Sequence, residues 1–407
     1  MFVQIHMLQS VPPGNLNRDE SGQPKKCIFG GVTRSRISSQ CLKRNMRRSS
    51  YFEDAFGEAL GKRTKYLPEL VARSLSDLGG IPEEEFDGIK AGLASLFKKE
   101  SKEEDEDAVD GESEGDGLTP QLVFFNPLFA KKIAELLVQF RKSNAEAYKV
   151  FVGAKSKLSK DEAKKPIAEF VQQAFEARES VSIDVGLFGR MTTSDLVKDV
   201  EAACQVAHAI STHEALIESD YFTAMDDLKE SFAKTQTDAK GAGFLGRGDT
   251  ETFFTSAVYY KYLNIDGKSL LRNVQRQAVD QVCRAVGVMV EAAALAGPTG
   301  KQNSFAAHAA PELILVEVSE KRQPISYANA FLKPVEGADL MRGSADALSD
   351  YCGSVAAAFA PADTKRFLLV AGTAKDVAFD LPAKKIGSLQ ELVRAVEEAV
   401  TPSLQTA

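Results

Sequence analysis

A chain of 407 residues with 44% hydrophobic content carries enough apolar material for one elaborated domain or two. The first residues lack the basic and apolar regions of a secretory signal, and the most apolar helical stretch, 286–296, is too short to span a bilayer. No secretory signal or membrane span is visible, and a soluble cytoplasmic protein is expected, its five scattered cysteines free thiols without metal-type spacing.

The formal net charge of −7 is unevenly distributed. Residues 100–116 (ESKEEDEDAVDGESEGD) hold ten acids and one lysine, about −9, so the remainder of the chain sits near +2. An apolar-poor run of this kind is expected to form a surface loop, for solubility or as a shield for a basic groove.

In chain order, residues 2–8 read as a strand, followed by a Pro-rich loop and Asn15-Leu16-Asn17-Arg18-Asp19. Residues 25–48, KKCIFGGVTRSRISSQCLKRNMRR, contain eight Lys or Arg and no acid. Gly30 and Gly31 break the chain before Arg34 and Arg36. Ser38 or Ser39 can then cap a helix starting near Gln40, whose backbone N–H groups would add donors for an anion. Lys43 and Arg47, like Arg44 and Arg48, are spaced i,i+4 on one face, while Leu42 and Met46 form an apolar stripe facing a core. Like charges so placed repel, and phosphates relieve that repulsion; the reading is a polyanion site, against a solvated basic face.

Residues 51–180 read almost wholly helical, punctuated by Gly79-Gly80, Pro82, Pro120, Pro127 and Pro166. Strands are predicted at 182–188, 253–264 and 312–318, a long helix at 270–296, and a last helix at 389–400. With insertions removed this is the βαββαβ order of a ferredoxin-like or RNA-recognition-motif domain. Tyr259, Tyr260 and Tyr262 on the third core strand could form a base-stacking platform, but alternation splits them between faces and favours core for most. Gly241-Ala242-Gly243-Phe244-Leu245-Gly246 matches a dinucleotide GxGxxG without the strand before it or the helix after it, and reads as a loop. The histidines His6, His208, His213 and His308 form no nuclease or zinc pattern, so no metal or cofactor is expected.

The ordered run IHxLxS, NLNRD, FGG and RxRISSQxLKRxxR closely resembles the start of the backbone subunit of the CRISPR Cascade complex, the CasC family of type I-E systems. Gly189-Arg190-Met191-Thr192-Thr193-Ser194, residues 207–228, Gly300-Lys301-Gln302 and the ISYANAF of 325–331 fit the same family. The resemblance implies an α+β fold: a modified ferredoxin-like palm with a large helical insertion and a thumb-like loop. Residues 1–50 would supply the first strand, loop and basic helix, 51–180 the insertion with its acidic loop, and 181–407 the rest, with the thumb-like excursion at about 212–252. It implies a non-catalytic scaffold that oligomerises head to tail along CRISPR guide RNA and presents it for pairing with target DNA, beside other copies of itself and other Cascade subunits.

The RNA-binding residues so assigned are Arg18, Lys25, Arg34, Arg36, Ser38, Ser39, Gln40, Lys43, Arg44, Arg47, Arg190, Met191, Leu245, Lys301 and Gln302. In related subunits the thumb kinks the guide and turns out a base. Met191 would then be an apolar wedge between bases, with core packing as its alternative, and Leu245 would lie near the thumb tip. Relatives in type III systems cut RNA with an acid in the loop after the first strand, which leaves Asp19 open as a cleaving residue. A generic single-stranded RNA binder is the third reading.

Overall fold

The computed structural model describes residues 1–97, 118–119, 122–175, 181–191, 199–221, 251–274 and 279–406. The chain forms two units: Met1–Tyr51 with Gln205–Ile265 and Val286–Ala407, and Phe52–Cys204 with Asp266–Ala285. The acidic stretch 100–116, the GxGxxG and Leu245 lie outside the described residues, as does most of the predicted thumb.

The strands are β1 (Phe2–Gly14), β2 (Lys26–Phe29), β3 (Val32–Ile37), β4 (Lys62–Thr64), β5 (Val123–Phe125), β6 (Cys204–Val206), β7 (Ala209–Ser211), β8 (Glu218–Tyr221), β9 (Glu251–Asp266), β10 (Leu313–Ser319), β11 (Lys365–Val370) and β12 (Lys384–Ile386). The first unit is built on a sheet ordered β12-β11-β10-β1-β9-β7-β3-β2. Its centre, β10-β1-β9-β7, is the fourth-first-third-second strand order of a ferredoxin-like palm, and the α+β class follows. β1 runs antiparallel to β10 from Phe2 opposite Ser319 to Leu8 opposite Leu313, and all seven residues of β10 are buried. β11 and β12 are parallel, so the sheet is mixed.

One face of this sheet is sealed by the helix Leu340–Phe359. Met341, Ala345, Leu348 and Cys352 join Leu8, Val258, Tyr260, Tyr262, Leu315 and Tyr327 in one buried cluster. Tyr259 points to the opposite face and pairs its hydroxyl with Ser35 Oγ at 2.6 Å. All three tyrosines of β9 are therefore core, and the sheet offers no stacking platform at these positions.

The second unit holds the helices Leu67–Leu78, Phe86–Leu96, Pro127–Ser143, Ala145–Phe151 and Lys160–Phe175 around a separate core that includes Leu75, Ile89, Phe129, Ile133, Leu137 and Phe170. Among the described residues the expected helicity is interrupted by the antiparallel ribbon β4–β5.

Several expectations need correction. Residues 182–188 are not a strand: Ile183–Phe188 is a helix, closed by Gly189 at φ 80°. Ile183, Asp184, Val185, Gly186 and Leu187 are all buried, so apolar side chains face every direction and their alternation carries no information about period. The second core strand is β7, three residues too short to register as a pattern. β1 continues through Pro12 and Pro13, both exposed, to Gly14. Gly30 and Gly31 (φ 64° and 81°) form the two-residue turn of a β2–β3 hairpin, the left-handed pair that such turns require. The helix expected at 270–296 consists of Gly267–Asn273 and Val279–Leu295, with 275–278 outside the described residues.

Candidate nucleic-acid interface

The basic block is presented by three elements in succession: β2, β3 and the helix Ser39–Arg47. Ser38 caps that helix, its hydroxyl accepting from Cys41 N at 3.3 Å, and Leu42 and Met46 anchor it at 5% and 3% exposure. Arg44 and Arg48 are exposed, while Lys43 and Arg47 are half-buried along their stems. The loop before the hairpin is tied to the same place. Asn17 Oδ1 accepts Ser38 N at 2.8 Å, and Lys25 is hydrogen bonded through its amide to Asn17 O and through its carbonyl to Arg36 N. The result is an open cleft of about 600 Å³ lined by Arg18, Asp19, Glu20, Ser21, Lys25, Lys26 and Arg36.

Asp19 is less available than its position in that cleft implies. Its Oδ1 accepts from Ser21 N, Ser21 Oγ and Gln23 N at 2.9, 2.7 and 3.1 Å, closing a tight turn. The Ser21 hydroxyl, with the two backbone donors and Lys26, holds the carboxyl below its ordinary range. Two acids remain among four cations, and one of them is engaged in holding the loop.

Arg34 is a correction. It is 0% exposed, and its guanidinium donates to Phe29 O, Ser211 O and Phe331 O at 3.2, 3.0 and 2.8 Å. Arg34 and Arg36 stand two residues apart on one face of β3; at Arg34 that face is covered by the segments of Ser211 and Phe331, whereas Arg36 lies at the cleft, so Arg34 builds the platform and does not contact RNA from it. The helix start is a second correction. Ser39 N donates to His208 Nδ1 at 3.0 Å and Cys41 N to Ser38 Oγ, so these two amides are engaged within the chain. His208 itself was not predicted as part of the site. Its Nδ1 accepts from Ser39 N and lies 3.3 Å from Arg36 Nη1, which leaves the proton on Nε2. Partial burial, with Arg36 and Lys25 nearby, lowers its pKa. No local pattern could have found it, since it lies 169 residues from Ser39 in sequence.

Lys301 ends a loop that packs against the first one, and Gln302 opens the short helix Gln302–Phe305. A side chain at Gly300 would come within 2.5 Å of Leu16 O, so glycine there permits the close approach. Lys301 adopts φ 52°, a left-handed conformation that is costly for a residue with a side chain. Gln302 Nε2 donates to Pro298 O at 3.0 Å. Arg190 and Met191 belong to the second unit. Arg190 is buried and donates to Phe124 O at 3.1 Å, and burial pulls its guanidinium down to about 10 against the opposing charge of Asp199. Met191 is 89% exposed, which removes the core reading for it.

The chain matches the Cas_CT1975 family model, CT1975-like protein, over residues 3–395. The chain belongs to the CT1975-like protein family. A comparison of this CT1975-like protein with curated proteins found no match. Among solved structures it is similar to a chain of a "CRISPR RNA-guided surveillance complex, pre-nicking", with 26% identity and a TM-score of 0.76 over 98% of this chain and 100% of that one. A chain of a "CRISPR RNA-guided surveillance complex" shares the fold at 21% identity and a TM-score of 0.67, with the same coverage. These full-length likenesses agree with the palm strand order and with the family resemblance of the N-terminal motifs. Among the described residues no three His, Cys, Asp or Glu side chains form a metal-binding group, and no helix is long and apolar enough to cross a membrane.

Proposed function

We propose that this CT1975-like protein is the backbone subunit of a type I-E CRISPR RNA-guided surveillance complex. It is a non-catalytic scaffold whose copies line up head to tail along guide RNA and present it for pairing with target DNA. The observation that carries this reading is the cationic surface presented by Arg18 and Lys25 on the loop before β2, Lys26 on β2, Arg36 on β3, and Lys43, Arg44 and Arg47 on the capped helix. Lysine and arginine contacts of this kind address phosphates, which carry no sequence information; specificity then comes from base pairing. Met191 is the exposed apolar side chain that would wedge between bases. The tyrosines of β9 are buried, which argues against a generic RNA-recognition module binding through its sheet.

The test is the salt dependence of guide-RNA binding. Replacing Lys43, Arg44 and Arg47 together with alanine is expected to lower the magnitude of the log–log salt slope by about 2, at roughly −0.7 per lost single-strand phosphate contact. Sequencing of the RNA that copurifies with the wild-type protein is expected to return repeat-flanked guides of uniform length. An unchanged slope would take the helix out of the interface, and a random RNA population would remove the CRISPR role.

A further inference from the structure

We infer that the ribbon β4–β5 is a second nucleic-acid contact surface, in which Lys62 and Arg63 hold phosphates beside the base-wedging Met191. The inference rests on the function proposed above and adds a site in the helical unit, where the basic N-terminal block has no part. Its first support is composition: neither 61–67 (GKRTKYL) nor 122–126 (LVFFN) contains an acid, and the first carries three cations. The second is presentation. Lys62 and Arg63 are exposed, and among the described residues neither has an ion-pair partner. Lys62 and Arg63 are adjacent on one short strand and so present two cations together, whereas Lys90, Arg141 and Lys149 of the same unit are each paired with an acid.

The third support is the connection to Met191. Arg63 stacks over the ring of Phe124, its cross-strand partner, with the guanidinium carbon 5.0 Å from the ring centroid. A stacked guanidinium keeps its in-plane N–H donors at the rim, where a phosphate can meet them. The carbonyl of the same Phe124 accepts from Arg190 Nη1 at 3.1 Å, and Arg190 is braced by reciprocal backbone hydrogen bonds with Val200. One residue therefore ties the cationic ribbon to the turn that displays Met191. The ribbon is closely packed at this point. A side chain at Gly61 would come within 2.5 Å of the Phe124 ring, and Gly61 N donates to the buried Asp184 carboxylate at 2.8 Å. Tyr66, 56% exposed at the end of the ribbon, adds an aromatic face of the kind on which unpaired bases stack. An apolar wedge that displaces a base needs the flanking backbone held still, and two cations fixed to the same framework provide that.

The ligand is a phosphodiester strand, from the guide or from the strand paired with it, and the experiment separates the two. Full-length Lys62→Gln/Arg63→Gln protein is titrated across salt with guide RNA, and then, once loaded with guide, with complementary single-stranded DNA. The slope should fall in magnitude by about 1.4 in one of the two titrations, as expected for two lost contacts. A fall in the first assigns the ribbon to the guide, and in the second to the complementary strand. Lys62→Gln alone, at an exposed position off the Phe124 ring, should lower the slope by about 0.7 even if the double variant melts early. A Lys43→Gln/Arg44→Gln control is run in parallel. Unchanged slopes for both ribbon variants beside a reduced slope for the control would overturn the ribbon site and leave the proposed function standing. Unchanged slopes for all would overturn the ribbon site and take the basic helix out of the interface as well.

Discussion

Arg34 shows how little a residue's type says about its employment. It sits in the densest basic stretch of the chain, yet its guanidinium is enclosed and satisfied by three main-chain carbonyls from β2, β7 and the 328–331 turn. Arg34→Leu is expected to strand those carbonyls and cost on the order of 3 kcal/mol, since each buried unsatisfied polar group costs about 1–3. Thermal melting should drop by several degrees while the salt slope of the folded fraction stays at the wild-type value; a lowered slope at unchanged melting temperature would return Arg34 to the RNA surface. Asp19 poses the opposite question, because it is exposed and belongs to a loop where relatives of another type keep a cleaving acid. Its Oδ1 closes a turn, so incubation of guide-loaded protein with complementary RNA and magnesium or manganese is expected to give no cleavage, for wild type and Asp19→Ala alike. Regularly spaced cuts that vanish in Asp19→Ala would instead make it an RNA-cleaving subunit. The basic character of 25–48, the Ser38 cap and the Leu42/Met46 anchor were all legible because each depends on neighbours within four residues. The enclosure of Arg34 depends on the distant Ser211 and Phe331 segments, and the His208 contact on chain 169 residues away, and neither has a local signature.

At the scale of elements, the covered face of the sheet is held by a polar network as well as by apolar packing. Glu317 on β10 accepts from Arg366 Nε on β11 at 2.7 Å and from the Tyr327 hydroxyl at 2.9 Å, and His6 on β1 lies at 3.4 Å while bonding the Tyr260 hydroxyl at 2.8 Å. Three strands and the 325–331 segment thus meet at one carboxylate. Burial alone would raise the Glu317 pKa, but His6 and Arg366 outweigh it and hold the carboxyl down at about 2. Because the folded value lies below the ordinary 4.5, the unfolded chain takes up this proton first. The stabilisation is therefore complete above about pH 4.5 and is lost as pH falls toward 2. Arg366→Met should cost about 3–5 kcal/mol at neutral pH, the usual penalty for leaving a buried charge without its partner. It should also move acid unfolding, followed by near-UV circular dichroism, to higher pH; an unmoved acid transition would show that His6 and Tyr327 suffice. The strands β1, β9 and β10 and the last helix were readable from composition, being long and strongly apolar or β-branched. β7 was not, because three residues cannot display a period, and Ile183–Phe188 was misread because full burial erases one.

For the whole molecule, the proposed assembly makes a quantitative claim. A head-to-tail contact is heterologous and does not close, so the number of copies is set by the template and by no symmetry of the protein. Lengthening the guide is expected to add copies in whole steps, measured as mass increments of 44.1 kDa per protomer by light scattering of the purified complex. A fixed mass across guide lengths would mean a closed oligomer. The βαββαβ class could be drawn from sequence because the first, third and fourth palm strands are long and apolar, although the signal for the second falls at 182–188, where the chain is helical, instead of at β7. Of the thumb-like excursion expected at about 212–252, residues 222–250, with Leu245, lie outside the described residues. The burial of the β9 tyrosines also has an optical consequence. The chain contains no tryptophan, so its ultraviolet emission comes from nine tyrosines, of which Tyr148, Tyr259, Tyr260, Tyr262 and Tyr327 are shut inside the two cores. Those rings brighten or dim when the cores open and are shielded from anything bound outside. Emission from those five rings is thus a gauge of integrity, while Tyr66 at the end of the ribbon and Tyr221, 56% and 71% exposed, are rings placed to respond as nucleic acid loads.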